Sequence, residues 1–210
     1  MQMAYLLKLN MPSIASLLIL LLNLGVCFYN CRSVIKRRTR PALAMWLFFS
    51  IAVTGTLVTY LKEEPDRGFM DNIFNASDVL VCSVCTVVIF FRGDKSTRFN
   101  RFDLYCLTGV LLIAAFWLVS QNHLVANLAI QGIIVIAYFP VAARLWRSAE
   151  NSESFLVWGG LFAIALLGLY DGKGLLAKIY ALRAAVCTLG LMLLMLRAEL
   201  RAAKAAHKLR

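Results

Sequence analysis

The chain has 210 residues, a formal net charge of +11, a mean hydropathy of +0.75 and only 16% charged residues. Such a composition excludes a soluble enzyme built on one greasy core. The positive charge is split among four short segments, which excludes a nucleic-acid-binding surface as its explanation.

Seven apolar segments, each of about 17 to 23 residues, account for most of the sequence, and about 20 residues suffice for one helical crossing of a bilayer. They cover 12–31, 41–61, 72–91, 104–120, 124–145, 154–170 and 179–196. None alternates at period two, so helices are expected rather than barrel strands.

The first segment follows a flank with a single Lys and no strong basic region, and no small-x-small cleavage site follows it. The run Arg32, Lys36, Arg37, Arg38 and Arg40 acts as a stop, so a membrane helix is expected here and not a cleaved signal. Asn23 lies at its mid-depth. The second segment carries Trp46 about one turn inside the basic end, and Gly55 near its centre. The third holds Asn75 and Asp78, the latter about 9 Å below the surface at 1.5 Å per residue. It also holds Cys82 and Cys85, whose spacing suits a redox or metal pair. Inside an apolar helix without a companion pair they read better as small interior residues. The fourth segment carries Trp117, which reads as a boundary residue.

On the fifth segment Asn127 and Gln131 share a face, and Tyr138 and Pro140 lie near its inner end, where a proline bends a helix. The sixth carries Trp158 and Gly168, and the seventh carries Tyr180 and Arg183. A charge at the depth of Asp78 or Arg183 must face the interior, find a partner or line water. Two readings stand for this couple: a fixed structural pair, or a gating or substrate-contacting pair. Asn127 and Gln131 read either as glue between helices or as amides offered to a polar ligand. Trp46, Trp158 and Tyr138 read as interfacial anchors or as a stacking gate. Gly55, Gly168 and Pro140 read as packing points or hinges. The segment 196–210 is a short, Ala-rich basic helix suited to anionic headgroups.

Lys and Arg follow the first, third, fifth and seventh segments, whereas the other loops hold only Lys62, Arg67, Lys173 and Lys178. The expected topology therefore places the N-terminus outside and the C-terminus in the cytoplasm, with a bacterial inner (plasma) membrane as the expected location. Only two His exist, His123 and His207, so no zinc set can be assembled, and no HExxH, GxSxG or Walker sequence occurs. No enzyme, metal or cofactor is expected.

Parts of the chain repeat. Tyr29 and Trp46 correspond to Tyr138 and Trp158, and Val81-Cys82 to Val186-Cys187. The offset that aligns Cys82 with Cys187 also sets Asp78 on Arg183 and Asn75 on Tyr180. The expected fold is therefore all-α, with two parallel three-helix bundles joined by an inverting linker helix (3+1+3). The bundles would cover 1–93 and 123–197, the linker 94–122 and a basic tail 198–210. In repeats of this kind the substrate lies between the halves.

The stretch Ala137-Tyr138-Phe139-Pro140, then Arg144-Leu145-Trp146-Arg147, Asn151, Glu153-Ser154 and Trp158 resembles the seven-helix sugar-transporter (SWEET) and PQ-loop superfamily, which includes vitamin transporters of the nicotinamide riboside type. It is similar to that family's proline-bearing helix end, basic turn, and serine and tryptophan helix start. Val141 stands where the family has Gln, and Asn30-Cys31 stands where the first copy would have Pro-Gln. The resemblance implies alternating-access transport of a small polar metabolite through a central cavity, facilitated or coupled to a proton or cation. In its sugar-transporting members, asparagines on the third and seventh helices flank the substrate. Asn75 matches the first of these, and Tyr180 stands in place of the second. Asn75, Asp78, Asn127, Gln131, Tyr180 and Arg183 are thus the candidate substrate contacts. A ligand-binding receptor or adaptor of the same fold is the alternative. Expected partners are the lipid bilayer, the metabolite and, for an oligomer, a second copy of the chain.

Overall fold

A computed structural model describes residues 13–39, 41, 43–93, 101–147, 151 and 153–208. Arg40, Lys95, Arg98 and Arg210 of the basic segments lie outside them. The protein is all-α. Helices α1 (Ile14–Ile35) and α2 (Leu43–Glu63) precede a single 3-10 turn, Phe69–Asn72, which leads into α3 (Ile73–Arg92). Then follow α4 (Arg101–Ser120), α5 (His123–Ala137), α6 (Phe139–Arg147), α7 (Phe155–Asp171) and α8 (Leu175–Lys208).

The starts and stops follow from side-chain chemistry. Ser13 accepts the Ser16 N–H at the start of α1, Asn72 that of Asn75 at α3, and Asn122 that of Val125 at α5. Gln121, at φ 54°, closes α4 in the left-handed conformation and donates its amide to the Leu118 carbonyl at 2.9 Å. Between α7 and α8, Gly174 at φ 88° passes so close to the Glu64 carboxylate that no side chain fits there. The fifth apolar segment is broken at Tyr138. Pro140 has no N–H to extend α5, and instead lies in the first turn of α6, where that donor is not needed. The basic segment 196–208 is not a separate surface helix. It continues α8 without interruption.

The expectation of seven crossings arranged as 3+1+3 is not met. Among the described residues four helical segments are long and apolar enough to cross a membrane: Ile14–Ile35, Phe69–Arg92, His123–Arg147 and Leu175–Lys204. The apolar parts of α4 (Leu104–Ser120) and α7 fall below this length. Seventeen residues reach only about 25 Å, against about 30 Å of hydrocarbon. The end of α2 is polar, with Thr54, Thr56, Thr59, Lys62 and Glu63. Helix α4 packs against α5 and α2. The chain is a multi-helix membrane protein. The packing joins α1 to α3 and α7, α2 to α3 and α5, and α7 to α8.

The outward surface is apolar, with Ile14, Leu21, Phe28, Leu112, Leu118 and Val119 exposed. Small residues line the α7–α8 seam: Ala165 from α7 and Ala181, Ala184 and Ala185 from α8 are buried in one cluster. Without a hydrophobic drive in lipid, such residues let backbones approach closely. Gly168 and Gly55 sit inside unbroken helices. A Cβ at Gly168 would come within 2.8 Å of the Phe74 ring, whereas at Gly55 it would meet only the flexible tip of Ile130, at 3.1 Å. Gly168→Ala is therefore expected to destabilise the fold by about 1 to 3 kcal/mol. At Gly55 the gain of up to about 1 kcal/mol in helix propensity offsets the milder crowding. Thermal unfolding in detergent checks both; equal effects would mean that contact with Phe74 does not constrain α7.

A polar chain through the bundle as candidate functional site

The polar residues of α2, α3, α5 and α8 meet in one connected arrangement. Tyr180 is 1% exposed and donates its hydroxyl to Asp78 Oδ2 at 2.6 Å. The Arg183 guanidinium lies over the Tyr180 ring at 4.6 Å and donates from Nε to Gln131 Oε1 at 3.0 Å. Gln131 Nε2 donates to Asn127 Oδ1 at 2.9 Å. Asn127 Nδ2 ends the chain on α2, at the Thr56 carbonyl (2.8 Å) and the Thr59 hydroxyl (2.9 Å). Helical spacing makes the geometry. Asn127 and Gln131 are four apart on one face of α5, and Tyr180 and Arg183 three apart on one face of α8. Phe74 packs edge-on against Tyr180, with ring centroids 5.2 Å apart, and fixes the phenol.

Asp78 and Arg183 do not form a direct ion pair among the described residues. Tyr180 stands between them, with its hydroxyl on the carboxylate and its face on the guanidinium. Asn75 joins the arrangement through α2. In the orientation that satisfies both its ends, its amide donates to the Val53 carbonyl at 3.0 Å and accepts the Leu57 N–H at 3.1 Å. Both ends are occupied by the backbone of α2, so Asn75 fastens α3 to α2. Asn23, on α1, donates to Ser77 Oγ at 2.6 Å, and its own Oδ1 is buried without a partner.

Asn75, Asn127, Gln131 and Tyr180 are buried, whereas Asp78 and Arg183 are only half-buried. The capacity for further hydrogen bonds is concentrated on those two charged groups. Arg183 engages one of its five N–H donors, and Asp78, with Tyr180 and Asn23 as partners, keeps part of its acceptor capacity. Tyr138 and Cys187, also half-buried, lie within electrostatic reach of Arg183.

The aromatic residues divide. Tyr138 sits between Phe49 and Trp158, at centroid distances of 5.7 and 6.0 Å. Trp158 also donates Nε1 to Glu153 Oε2 at 3.1 Å. Trp46 belongs elsewhere. It packs against the buried cluster of Cys27, Val34, Val81, Cys85 and Ile89, and its buried indole N–H has no partner. The equivalence of Trp46 and Trp158 in the two copies does not bring them together.

Beyond this network the two ends of the bundle differ. At the Ser13 end, Lys173 pairs with Asp71 at 2.8 Å, its backbone N–H bonds the Asp71 carbonyl at 2.8 Å, and its carbonyl accepts the Tyr60 hydroxyl at 3.0 Å. Arg67 pairs with Glu64, and Ser13 and Ser16 both donate to the Asp171 carboxylate. At the opposite end, Arg197 and Arg201 of α8 donate to the Trp146 carbonyl of α6 at 3.3 and 3.2 Å, and Arg197 stacks on the Trp146 ring.

Sequence reasoning missed two sets of residues. Thr56 and Thr59 complete the polar chain; the signal was three threonines within six residues of an otherwise apolar helix. Two cysteines of the third and first segments are buried as interior residues, and three of the chain's thiols also meet. Cys27, Cys31 and Cys85 bring their sulfurs within 4.8 Å of one another. Cys27 and Cys31 lie at i and i+4 on one helix, which was the visible part of that signal. Cys82, the partner suggested by spacing, does not take part.

No protein-family model, curated protein or solved structure matches this chain.

Proposed function

We propose that the protein is a transporter of a small polar metabolite, working by alternating access, with Asp78 and Arg183 as its principal ligand contacts. The observation that carries this reading is the chain Asp78–Tyr180–Arg183–Gln131–Asn127, which holds two charges of opposite sign at membrane depth and leaves most of their hydrogen-bonding capacity unused. A merely structural pair would close on itself. Here Arg183 is held by Gln131 and Tyr180, Asp78 by Tyr180 and Asn23, and both charges remain half-buried. The aromatic group Phe49, Tyr138 and Trp158 supplies flat faces on which a metabolite ring or hydroxyl-bearing carbon skeleton can rest. The resemblance of the 137–158 stretch to the sugar and vitamin transporters supports the same reading.

The Ser13 end is the outer end in this proposal. Its loops carry few cations, and Arg67 and Lys173 among them are neutralised by Glu64 and Asp71. The Arg32 end carries basic residues such as Arg32, Lys36 and Arg92, suited to the cytoplasmic leaflet. The latch at the Ser13 end closes the outer side. Its pairs are partly exposed and worth about 0 to 1 kcal/mol each, so opening it is inexpensive.

Thermal unfolding of the detergent-solubilised protein against a metabolite library tests the proposal. A stabilising ligand is expected, with the shift reduced at least about tenfold in apparent affinity by Asp78→Asn or Arg183→Gln. Ligands that stabilise both variants as well as the parent chain would remove Asp78 and Arg183 from the site. Uptake of a ligand so found into liposomes separates transport from reception, for which binding persists without flux.

A further inference from the structure

Three thiols from two helices occupy one place near the Arg32 end of the bundle, apart from the polar chain. Cys27 and Cys31 project from one face of α1, and Cys85 faces them from α3. The Cys85 sulfur lies 4.0 Å from that of Cys27 and 3.8 Å from that of Cys31, and all three sulfurs are within 4.8 Å of one another. A point equidistant from the three is then about 2.2 to 2.5 Å from each, which is the length of a thiolate–metal bond, about 2.3 Å. The three are free thiols, and Cys27 and Cys85 are 6% and 2% exposed.

We propose that Cys27, Cys31 and Cys85 form a three-coordinate site for a soft monovalent ion, Cu(I). Softness restricts the choice, because an all-sulfur donor set selects Cu(I), Zn(II) or an iron–sulfur cluster. Coordination number restricts it further. Zinc takes four ligands, and among the described residues no His, Asp or Glu joins the three sulfurs. The side chains Val34, Val81 and Ile89 that surround the sulfurs are buried and apolar. Binding releases the thiol protons, since the thiolate is the ligand, and three sulfurs complete the shell of Cu(I) but leave Zn(II) one ligand short. The Asn30 amide donates to the Cys85 sulfur at 3.5 Å, an outer contact that orients the sulfur.

The site does not depend on the transport reading. Its test is titration of the detergent-purified chain with Cu(I), without oxygen and against a chromophoric Cu(I) chelator, with X-ray absorption on the loaded protein. One ion per chain is expected, with three sulfur neighbours at about 2.3 Å. Cys27→Ser and Cys85→Ser should each weaken binding at least about 100-fold, while Cys106→Ser and Asp78→Asn leave it unchanged. Three results overturn the proposal: no Cu(I) held against the chelator, parent affinity retained in either serine variant, or only two sulfur neighbours in the absorption spectrum. Tighter retention of Zn(II) than of Cu(I) would overturn the choice of ion. If the serine variants do not fold, the stoichiometry and sulfur count of the parent chain decide alone.

Discussion

Arg183→Gln is expected to lower stability by about 3 kcal/mol, more than any other single change in the polar chain. The guanidinium has three neighbours to lose. Gln131 Oε1 is left without its donor, the Tyr180 face without its cation, and Asp78 without the positive charge in its surroundings. The last dominates, because an uncompensated carboxylate inside a membrane bundle is far costlier than an unfilled amide. Asp78→Asn should cost less, about 1 to 2 kcal/mol, since its amide oxygen still accepts from Tyr180 and Arg183 keeps Gln131. Combining the two should restore part of the loss, with a coupling of about 1 to 3 kcal/mol. A double-mutant cycle on chemical unfolding in detergent measures this. Strict additivity would show that the two charges do not sense each other across the Tyr180 ring.

Asn127→Leu is the second large effect, about 2 to 3 kcal/mol. Asn127 is 1% exposed and makes three side-chain bonds, to Thr56, Thr59 and Gln131. A bond between membrane helices averages about 0.6 kcal/mol and reaches about 1 to 2, so three lost together account for that total. Leucine has nearly the same volume, which separates hydrogen bonding from packing. Asn127→Asp is the informative companion: it retains the acceptor for Gln131 while removing the donor to α2. If both variants unfold like the parent chain, the α2–α5 seam rests on apolar contacts such as Ile130 and Ile134 with Phe48 and Ala52.

Depth and charge made much of the site readable in the sequence. Asp78 and Arg183 stand out because ionisable groups are rare inside apolar segments. Asn127 and Gln131 are visible through their shared helical face. Their connection was not readable, since Thr56 and Thr59 look like ordinary small residues until α2 is placed beside α5. The cysteine triad was hidden for the same reason. Cys27 and Cys85 are 58 positions apart, and no local spacing announces such a contact. The helices themselves were legible from apolar length, and the break before Pro140 from the missing amide. The architecture was not. Serial similarity between segments suggested two equivalent triplets, but it carried no information on whether each segment reaches across the hydrocarbon. The segments carrying Trp117 and Trp158 fall short by about one turn. Offsetting the copies set Asp78 on Arg183 as if they touched; the intervening ring appears only in three dimensions.

The interruption at Tyr138 has a mechanical consequence. On one side of it, α5 is bound to α2 through Asn127. On the other, α6 is bolted to the long α8 by the two arginines at the Trp146 carbonyl. Arg183 rides on that same α8, so α6 and α8 form a crank whose pivot is the Tyr138 backbone. A turn of α8 that carries Arg183 off Gln131 also swings the Tyr138 phenol relative to Phe49 on α2. Load on the cation would thereby be converted into displacement of an aromatic ring that lies within its electrostatic reach, carried by the stiffness of α8.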